Sequence, residues 1–361
     1  MKILWGDFET RSNVDLKKCG ADIYARDLST QVMAFGYAFD EEPVEVIKLG
    51  GLPTQRIRDH VASGGAFVAH NATFEWLIWN YAWRRVDPTI PPLNISQVEC
   101  TMVRAYSMGL PGALEKAAPA AGIEKQKDMK GNRVMLQLSK PKDILNGQTI
   151  WWDPSDPKDK EKFDRMYSYC AMDVEIEREL YKRLRPISKS ERILWELDHK
   201  INQRGICVDV LASKTAVEIV EIESERLDSE MRKVTDNGVA TCSSVGQLTD
   251  WLKFRGCKVE GVAKSDVTDL LERKTLPEDC RLALNIRAEA GKSSTKKLQT
   301  LIDRTSLDGR MRSTLQFYGA GTGRWAGRGF QLHNLPRQKL EEYEINGVFG
   351  VLREERKISG V

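Results

Sequence analysis

The stretch ILWGDFET, residues 3–10, begins with apolar and aromatic side chains typical of a β-strand and then carries two acids, Asp7 and Glu9. Successive side chains of a strand point to opposite faces of the sheet, so residues two apart share a face. Asp7 and Glu9 are therefore predicted to project from the same side of one strand. Taken alone, such a pair is about as typical of two solvated acids near a strand end as it is of a functional site.

The segments after this strand predict an α/β fold. Residues 32–39 and 44–49 are rich in β-branched and aromatic residues and are separated by charged or turn-forming segments. Ala66–Ala69 is a short apolar run typical of a buried strand, and residues 73–84 have the apolar spacing of a helix. Residues 100–150 are predicted to form helical pieces broken by glycine and proline.

A second acid lies in HNATFE, residues 70–75, where the buried strand passes into the helix. An acid at such a turn can face the strand ends, where open α/β sheets usually bind their ligands. The alternative is local: Asn71 caps the helix, and Glu75 lies in the first turn, where an acid interacts favourably with the helix dipole. Both interpretations can hold at once.

The third pattern is YCAMD, residues 169–173, inside a long helix predicted over residues 158–184. A spacing of four brings Tyr169 and Asp173 onto one helical face. Asp173 lies close to the apolar stripe of this helix, where an acid is costly unless it is paired or bound to a metal. The alternative is a surface aspartate beside a core tyrosine.

Composition limits the class of protein. The chain has 361 residues, of which 41% are hydrophobic and 30% charged. These values predict two or three soluble domains and exclude a wholly disordered or membrane protein. No apolar run approaches the ~18 residues of a membrane span, so a cytoplasmic protein is expected. The seven cysteines are scattered and form no C-x-x-C pair, which predicts reduced, buried thiols instead of zinc ligands or disulfides.

Charge is concentrated in one part of the chain. The formal net charge is only +3. Residues 285–337, however, carry ten basic and three acidic side chains, a net charge of +7, while the rest of the chain sums to −4. This asymmetry indicates a localised surface that binds a polyanion.

The three acidic patterns together resemble the motifs of the DEDD superfamily of 3′–5′ exonucleases, in the subclass with tyrosine in the third motif. The family pattern is D-x-E, then N-x-x-[FY]-D, then Y-x-x-x-D, and Glu75 stands where the family usually has aspartate. The resemblance implies a ribonuclease H-like mixed sheet. It also implies two Mg²⁺ or Mn²⁺ ions, one held by Asp7, Glu9 and Asp173 and the other by Asp7 and Glu75.

The same resemblance implies roles for the remaining polar residues of these motifs. Tyr169 is expected to orient the attacking water, since an ordinary phenol, with a pKa of ~10, is a poor proton acceptor. Thr10 and Asn71 are expected to contact the DNA strand.

The basic region resembles a second family. TGR, residues 322–324, followed by QLHNLPR, residues 331–337, is similar to the T-G-R…L-Q-N-[IL]-P-R segment of family A DNA polymerases. RAEAGKSSTKK, residues 287–297, resembles the thumb of the same family. The resemblance implies contacts with primer-template DNA, largely to its backbone, which fix position without reading sequence. The residues expected to make them are Lys292, Ser293, Lys296, Arg324, Gln331, Asn334 and Arg337.

These resemblances predict an organisation in four segments. Residues 1–185 form the exonuclease domain, residues 186–304 a mainly helical thumb, residues 305–337 the start of the palm, and residues 338–361 an unassigned tail. The first boundary rests on Pro186, which disfavours helical geometry in the residue before it. The later catalytic motifs of the polymerase family do not occur in the sequence, so polymerisation by this chain alone is not expected.

The predicted function is that of the proofreading portion of a phage-type family A DNA polymerase in the cytoplasm of a bacterial host. It would hydrolyse DNA from the 3′ end to mononucleotides by two-metal catalysis. Its partners would be a single-stranded 3′ end, a primer-template duplex, and a separate polypeptide carrying the rest of the palm and the fingers. One alternative is a non-catalytic DNA-binding or assembly subunit of a split polymerase. A free-standing RNA-processing exonuclease explains only residues 1–185.

Overall fold

The computed structural model describes residues 2–125, 128–291, 296–335 and 340–358, without the side chains of residues 296 and 352–358. It divides into two compact units. Unit 1 comprises Met1–Cys207 and Asp303–His333, and unit 2 comprises Val208–Ile302 and Asn334–Val361. The four functional segments inferred from the sequence are a different kind of division, and they stay a prediction.

Unit 1 is built on a five-stranded mixed sheet in the order β3-β2-β1-β4-β5. β2 is antiparallel to β1 and to β3, whereas β4 is parallel to β1 and to β5. The first four strands confirm the sequence prediction. β5 was not predicted, because it has three residues and passes directly into a helix. The strands are β1 (Ile3–Arg11), β2 (Gln31–Phe39), β3 (Glu45–Lys48), β4 (Ala66–Ala69) and β5 (Val98–Cys100).

Ten helices of unit 1 surround this sheet in the described part of the chain. They are α1 (Leu16–Cys19), α2 (Ala21–Arg26), α3 (Gln55–Ala62), α4 (Thr73–Leu77), α5 (Arg84–Val86), α6 (Thr101–Ser107), α7 (Leu114–Ala120), α8 (Met129–Leu138), α9 (Pro157–Arg183) and α10 (Lys189–Arg204). A π-helix, Ile78–Trp83, continues α4, and a 3₁₀ turn spans Ile95–Gln97. Short antiparallel pairs join β6 (Asp143–Leu145) to β7 (Gln148–Ile150), β8 (Ile206–Cys207) to β9 (Arg310–Met311), and β10 (Leu315–Gln316) to β11 (Ala326–Gly327).

The β6–β7 hairpin corrects the prediction of helical pieces throughout residues 100–150. Its two central residues are Asn146 and Gly147, with φ of 51° and 77°. Asn-Gly readily adopts positive φ at both positions, which the common two-residue hairpin turn requires. The local turn chemistry therefore favours a hairpin over a helix here.

One face of the sheet is closed by aromatic side chains from β1, β2 and the π-helix. Phe8 packs against Phe35 with ring centroids 4.4 Å apart and against Trp83 at 5.1 Å. Trp79 meets Trp83 edge-on at 5.2 Å. All four side chains are buried, and such aromatic pairs add to the stabilisation that comes from area burial alone.

The long helix α9 covers the opposite face, the one that carries Asp7 and Glu9. Gly36 lies directly opposite Asp7 in the β1–β2 pairing. A Cβ atom at residue 36 would lie 3.0 Å from Sγ of Cys170 and 3.1 Å from Cγ2 of Val174, both on α9. The main-chain N–H of Gly36 donates a hydrogen bond to Sγ of Cys170 at 3.2 Å. The lack of a side chain at residue 36 thus lets α9 approach the sheet beside Asp7.

Helices make up most of unit 2, as the sequence predicts for this region. They are α11 (Val210–Val234), α12 (Val245–Phe254), α13 (Lys264–Leu271), α14 (Glu278–Ala290), α15 (Lys296–Asp303) and α16 (Glu342–Ile358). A 3₁₀ turn, Leu332–Asn334, lies where the chain passes from unit 1 to unit 2. The core contains Met231 of α11, Leu248 and Leu252 of α12, and Leu284 of α14.

Two predictions from composition can be compared with this fold. None of the helices in the described ranges combines the length and apolar character that crossing a bilayer requires. All seven cysteines lie in the described residues, and all are free thiols. Four of them are buried and Cys207 is exposed, so the prediction of burial holds for four, and that of reduced thiols instead of zinc ligands or disulfides stays a prediction.

Candidate active site

Seven of the residues singled out in the sequence line one cleft of about 690 Å³ in unit 1. They come from β1, from the turn between β4 and α4, from the first turn of α4, and from α9. The parallel pairing of Trp5 with Val68 places Asp7 level with His70, the first residue of that turn. The seven residues are Asp7, Glu9, Thr10, Asn71, Glu75, Tyr169 and Asp173.

Asp7 and Glu9 of β1 both line the cleft, which agrees with their predicted position on one face of the strand. Asp7 is partly exposed, whereas Glu9 and Thr10 are buried. The pairing register of β1 with β2 shifts between Glu9 and Thr10, so the strand is bulged directly after the second acid. The hydroxyl of Thr10 forms a buried hydrogen bond of 3.0 Å with the hydroxyl of Tyr24. This contact orients Thr10 at the wall of the cleft.

The turn before α4 differs from the local interpretation of its sequence. Asn71 has a φ of 61°, a left-handed conformation that asparagine tolerates better than most residues. The helix begins after Ala72, and no side chain caps it, so the predicted cap by Asn71 is not observed. Glu75 does lie in the first turn, but it is only 3% exposed and points into the cleft lining. Its Oε2 atom has no hydrogen-bond partner among the described residues.

Tyr169 and Asp173 share one face of α9, as their spacing predicts. Both are buried, and the side chain of Tyr169 is hydrogen-bonded to that of Asp173. Gly131 of α8 lies against this tyrosine, because a Cβ at residue 131 would be 2.8 Å from Cβ of Tyr169. The sequence predicted that glycines such as Gly131 break the helical pieces of residues 100–150. Gly131 instead lies inside α8 and lets this helix pack on α9.

The electrostatics of the cleft are those of crowded carboxylates. Burial, followed by the negative charge of Asp7, raises the pKa of Glu75 well above its ordinary value. Burial, and then the charges of Asp173, Glu9 and Asp7, raise the pKa of Tyr169. The Tyr169 phenol is therefore protonated at neutral pH, which suits a hydrogen-bond donor and not a base.

These donors fit a hard divalent cation. Asp7, Glu9 and Cys170 each bring a potential ligand atom to within 4.8 Å of the other two. Burial raises the pKa of the Cys170 thiol well above its ordinary value, and its S–H contacts the main-chain oxygen of Asp7 at 3.5 Å. Mg²⁺ and Mn²⁺ prefer carboxylate oxygens, so Cys170 serves the packing of α9. A cation would also offset the large cost of burying Glu75 beside Asp7.

Three residues of this region were missed by the sequence reasoning. Glu177 follows Asp173 by one turn of α9 and is 1% exposed. Its burial could be predicted, because it continues the buried stripe of Cys170 and Val174 at helical spacing, but nothing in that spacing indicates a role for an acid. Lys17 and Lys140 are exposed residues that line the cleft. Isolated surface lysines carry no distinctive sequence signal.

The predicted contacts to duplex DNA lie elsewhere. Arg324 and Gln331 are exposed residues of unit 1 outside the cleft lining. Asn334 belongs to unit 2, where its main-chain oxygen accepts a hydrogen bond of 3.0 Å from Nζ of Lys297. Lys292, Ser293, Arg337 and the side chain of Lys296 lie outside the described residues.

The substitution Glu75→Gln is expected to change how stability depends on pH without divalent cations. Because the folded state raises the pKa of Glu75, the folded protein keeps this proton at pH values where the unfolded chain has released it. The resulting stabilisation is complete below the unfolded pKa and is lost as the pH rises through the folded pKa. In EDTA, the free energy of unfolding of the wild type should therefore fall relative to that of the variant as the pH rises above the ordinary pKa of a glutamate, ~4.3, and through the raised pKa of Glu75. Urea unfolding at a series of pH values measures the free energy of unfolding of the wild type and of Glu75→Gln. A difference between the two free energies that does not change with pH contradicts the expectation.

Comparisons with known proteins agree with a relation to DNA polymerases. No family model matches the chain. A DNA polymerase of Bacillus phage SP02 is 36% identical over 352 residues, which cover 95% of this chain and 53% of that protein. The chain thus spans about half the length of this curated relative.

A solved structure matches over a similar share. The POL domain of Pol1 from M. smegmatis, in complex with a DNA primer-template and dNTP, superimposes with a TM-score of 0.54 at 13% sequence identity. The match covers 94% of this chain and 53% of that chain, and at this identity it shows the fold alone. The chain is therefore homologous to about half of a phage DNA polymerase along nearly its whole length and shares the fold of about half of a solved polymerase domain.

Proposed function

We propose that this chain is the metal-dependent 3′–5′ exonuclease portion of a DNA polymerase, which hydrolyses DNA from its 3′ end to mononucleotides. The observation that carries the proposal is the gathering of four carboxylates and one tyrosine, from three distant segments, in a single cleft. The homology to a phage DNA polymerase supports DNA as the substrate. The sheet order 3-2-1-4-5 supports the ribonuclease H-like assignment of this region.

The carboxylates suit two divalent cations. Asp7, Glu9 and Asp173 would hold one Mg²⁺ or Mn²⁺ ion, and Asp7 and Glu75 the other. Such a pair of cations stabilises the charge that develops on the attacking and leaving oxygens of a phosphodiester. The buried Oε2 atom of Glu75, with no partner among the described residues, supports this assignment because an uncompensated buried carboxylate is strongly unfavourable.

Other side chains of the cleft would hold the substrate. Tyr169, a protonated phenol, can donate a hydrogen bond and so orient the attacking water. Asn71 and Thr10 offer polar groups to the terminal nucleotide. Lys17 and Lys140 can meet the phosphates of the incoming strand, which reduces repulsion between an acidic cleft and a polyanion.

Duplex binding belongs to the same proposal. The net charge of +7 over residues 285–337 and the exposure of Arg324 support contacts to DNA phosphates. These features also suit the alternative, a non-catalytic DNA-binding or assembly subunit that joins a separate polypeptide. The two differ in one respect: only the exonuclease consumes single-stranded DNA.

Incubation with 5′-labelled single-stranded DNA tests the proposed function. With Mg²⁺ or Mn²⁺, we expect a ladder of shortened labelled strands and the release of deoxynucleoside monophosphates, and EDTA should stop both. A labelled RNA strand of the same sequence distinguishes DNA from RNA processing. Intact DNA, bound but not shortened in the presence of either cation, contradicts the exonuclease and favours the binding subunit.

Tyr169→Phe is expected to lower the rate of DNA shortening by about 10- to 100-fold, because an attacking water that is not oriented reacts poorly. Binding of Mn²⁺ should be unchanged, since the carboxylates remain. Single-turnover kinetics with a saturating amount of protein measure the effect. Tyr167→Phe is a matched control, because Tyr167 is also a buried residue of α9 but does not line the cleft. Equal rates for the two variants contradict the role of Tyr169.

A further inference from the structure

A fifth carboxylate lies behind the four that line the cleft. Glu177 is on α9, one turn after Asp173, and it is 1% exposed. Its carboxylate accepts a hydrogen bond from the main-chain N–H of His70, the residue at the start of the turn that leads to Glu75. Glu177 thus links α9, which carries Asp173, to the turn that precedes Glu75.

The second carboxylate oxygen of Glu177 lies in an unfavourable environment. Its Oε1 atom has no hydrogen-bond partner among the described residues. Burial, followed by the negative charges of Asp7, Glu75 and Asp173, raises the pKa of Glu177 well above its ordinary value, so its negative charge is favoured only when a cation lies nearby. Leaving a buried acceptor without a hydrogen bond is unfavourable, and more so for a charged group. Packing does not require an acid here, because α9 continues at this level with apolar residues such as Ile176 and Leu180.

Glu75, which lines the cleft, likewise has a buried carboxylate oxygen without a hydrogen-bond partner in the described part of the chain. This oxygen is its Oε2, and the negative charge of Glu75 contributes to the raised pKa of Glu177. Both Oε2 of Glu75 and Oε1 of Glu177 thus lack a hydrogen-bond partner among the described residues. A cation bound beside Glu75 would compensate the negative charge at both buried carboxylates. The charge of Glu177 then strengthens the site from behind, and its hydrogen bond to His70 fixes the turn.

We propose that Glu177 is a positioning residue of the cation site: it holds the turn before Glu75 and adds negative charge behind that carboxylate, so that a divalent cation binds more tightly. This inference rests on the proposed function, because it assumes that cations bind in the cleft. It adds a residue that the three acidic motifs do not contain.

Direct titration of Mn²⁺ into the full chain, without DNA, tests the proposal by calorimetry. Glu177→Gln keeps an oxygen that can accept the hydrogen bond from His70 but removes the charge. We expect it to weaken Mn²⁺ binding by about tenfold, the lower end of the effect of residues that support metal ligands. Glu177→Asp keeps the charge on a shorter side chain, and its affinity should lie between those of the wild type and Glu177→Gln.

Thermal unfolding separates this role from a purely structural one. In EDTA, Glu177→Gln should melt at or above the temperature of the wild type, because one buried acid is gone from a crowded group. In Mg²⁺ the order should reverse, because the wild type gains more from the cation. A variant that melts lower than the wild type by the same amount in both conditions overturns the proposal. So does Mn²⁺ affinity equal to that of the wild type.

Glu179→Gln is the control for lost charge, since Glu179 is an exposed acid on the same helix. It should bind Mn²⁺ as the wild type does. The outcomes also separate this inference from the proposed function. A wild type that neither binds Mn²⁺ nor shortens DNA contradicts the proposed function itself. A wild type that does both, matched by Glu177→Gln, contradicts only the role of Glu177.

Discussion

Replacing Asp7 and Glu9 together by alanine is expected to lower the rate at which single-stranded DNA is shortened by about 10⁴-fold, which corresponds to about 5.4 kcal/mol of lost transition-state stabilisation. Both residues lie on the cleft face of β1, and the proposed sites of both cations share Asp7. Without these carboxylates, the remaining acids cannot hold two cations beside the scissile phosphodiester. The measurement is the initial rate with 5′-labelled DNA in saturating Mg²⁺.

The matched control for this double variant removes two acids from the exposed side of α9. Glu161 and Asp164 are both exposed. Alanine at these two positions should leave the rate within about twofold of the wild type, because exposed charges distant from a site act weakly through solvent. A double variant of Asp7 and Glu9 that shortens DNA at the wild-type rate would show that the activity resides elsewhere.

Gly36→Val is expected to reduce both stability and activity. Even a Cβ at residue 36 would lie 3.0 Å from Sγ of Cys170 and 3.1 Å from its main-chain oxygen. Valine must push α9 away from β2, and inserting bulk into a packed core typically costs about 1–3 kcal/mol. Because α9 carries Tyr169 and Asp173, a displacement of about 1 Å should also lower the rate of DNA shortening by about 100-fold.

The measurements for Gly36→Val are urea unfolding and the DNA assay on the folded fraction. Gly246→Val is the control, since a Cβ at residue 246, on α12, would meet no atom within 4 Å. That substitution should leave the free energy of unfolding within about 0.5 kcal/mol of the wild-type value. Wild-type stability and activity for Gly36→Val would show that the close approach of α9 does not determine the geometry of the cleft.

Much of the candidate site could be predicted from local periodicity. The alternation of a strand places Asp7 and Glu9 on one face, and a spacing of four places Tyr169 and Asp173 on one face of a helix. Both relations depend only on the backbone geometry of a single element. Whether β1 and α9 lie next to Glu75 depends on the order of the strands in the sheet. Local periodicity does not determine that order, and the ribonuclease H-like sheet was expected only from the family resemblance.

Other features could not be predicted because they depend on tertiary contacts. Glu177 has the spacing of a core residue, but nothing local shows that an acid rather than an apolar residue is tolerated there. The left-handed conformation of Asn71 replaces the helix cap that its residue type favours. The hairpin at Asn146 and Gly147, in contrast, could have been predicted, because Asn-Gly favours a two-residue hairpin turn.

Anomalous scattering from a crystal of the full chain grown with Mn²⁺ and a deoxynucleoside monophosphate tests the central claim most directly. The account predicts two Mn²⁺ peaks about 4 Å apart in the cleft. One peak should lie against Asp7, Glu9 and Asp173, and the other against Asp7 and Glu75. Ordered nucleotide in the cleft with no manganese peak beside these carboxylates, or manganese bound only elsewhere on the chain, would contradict it.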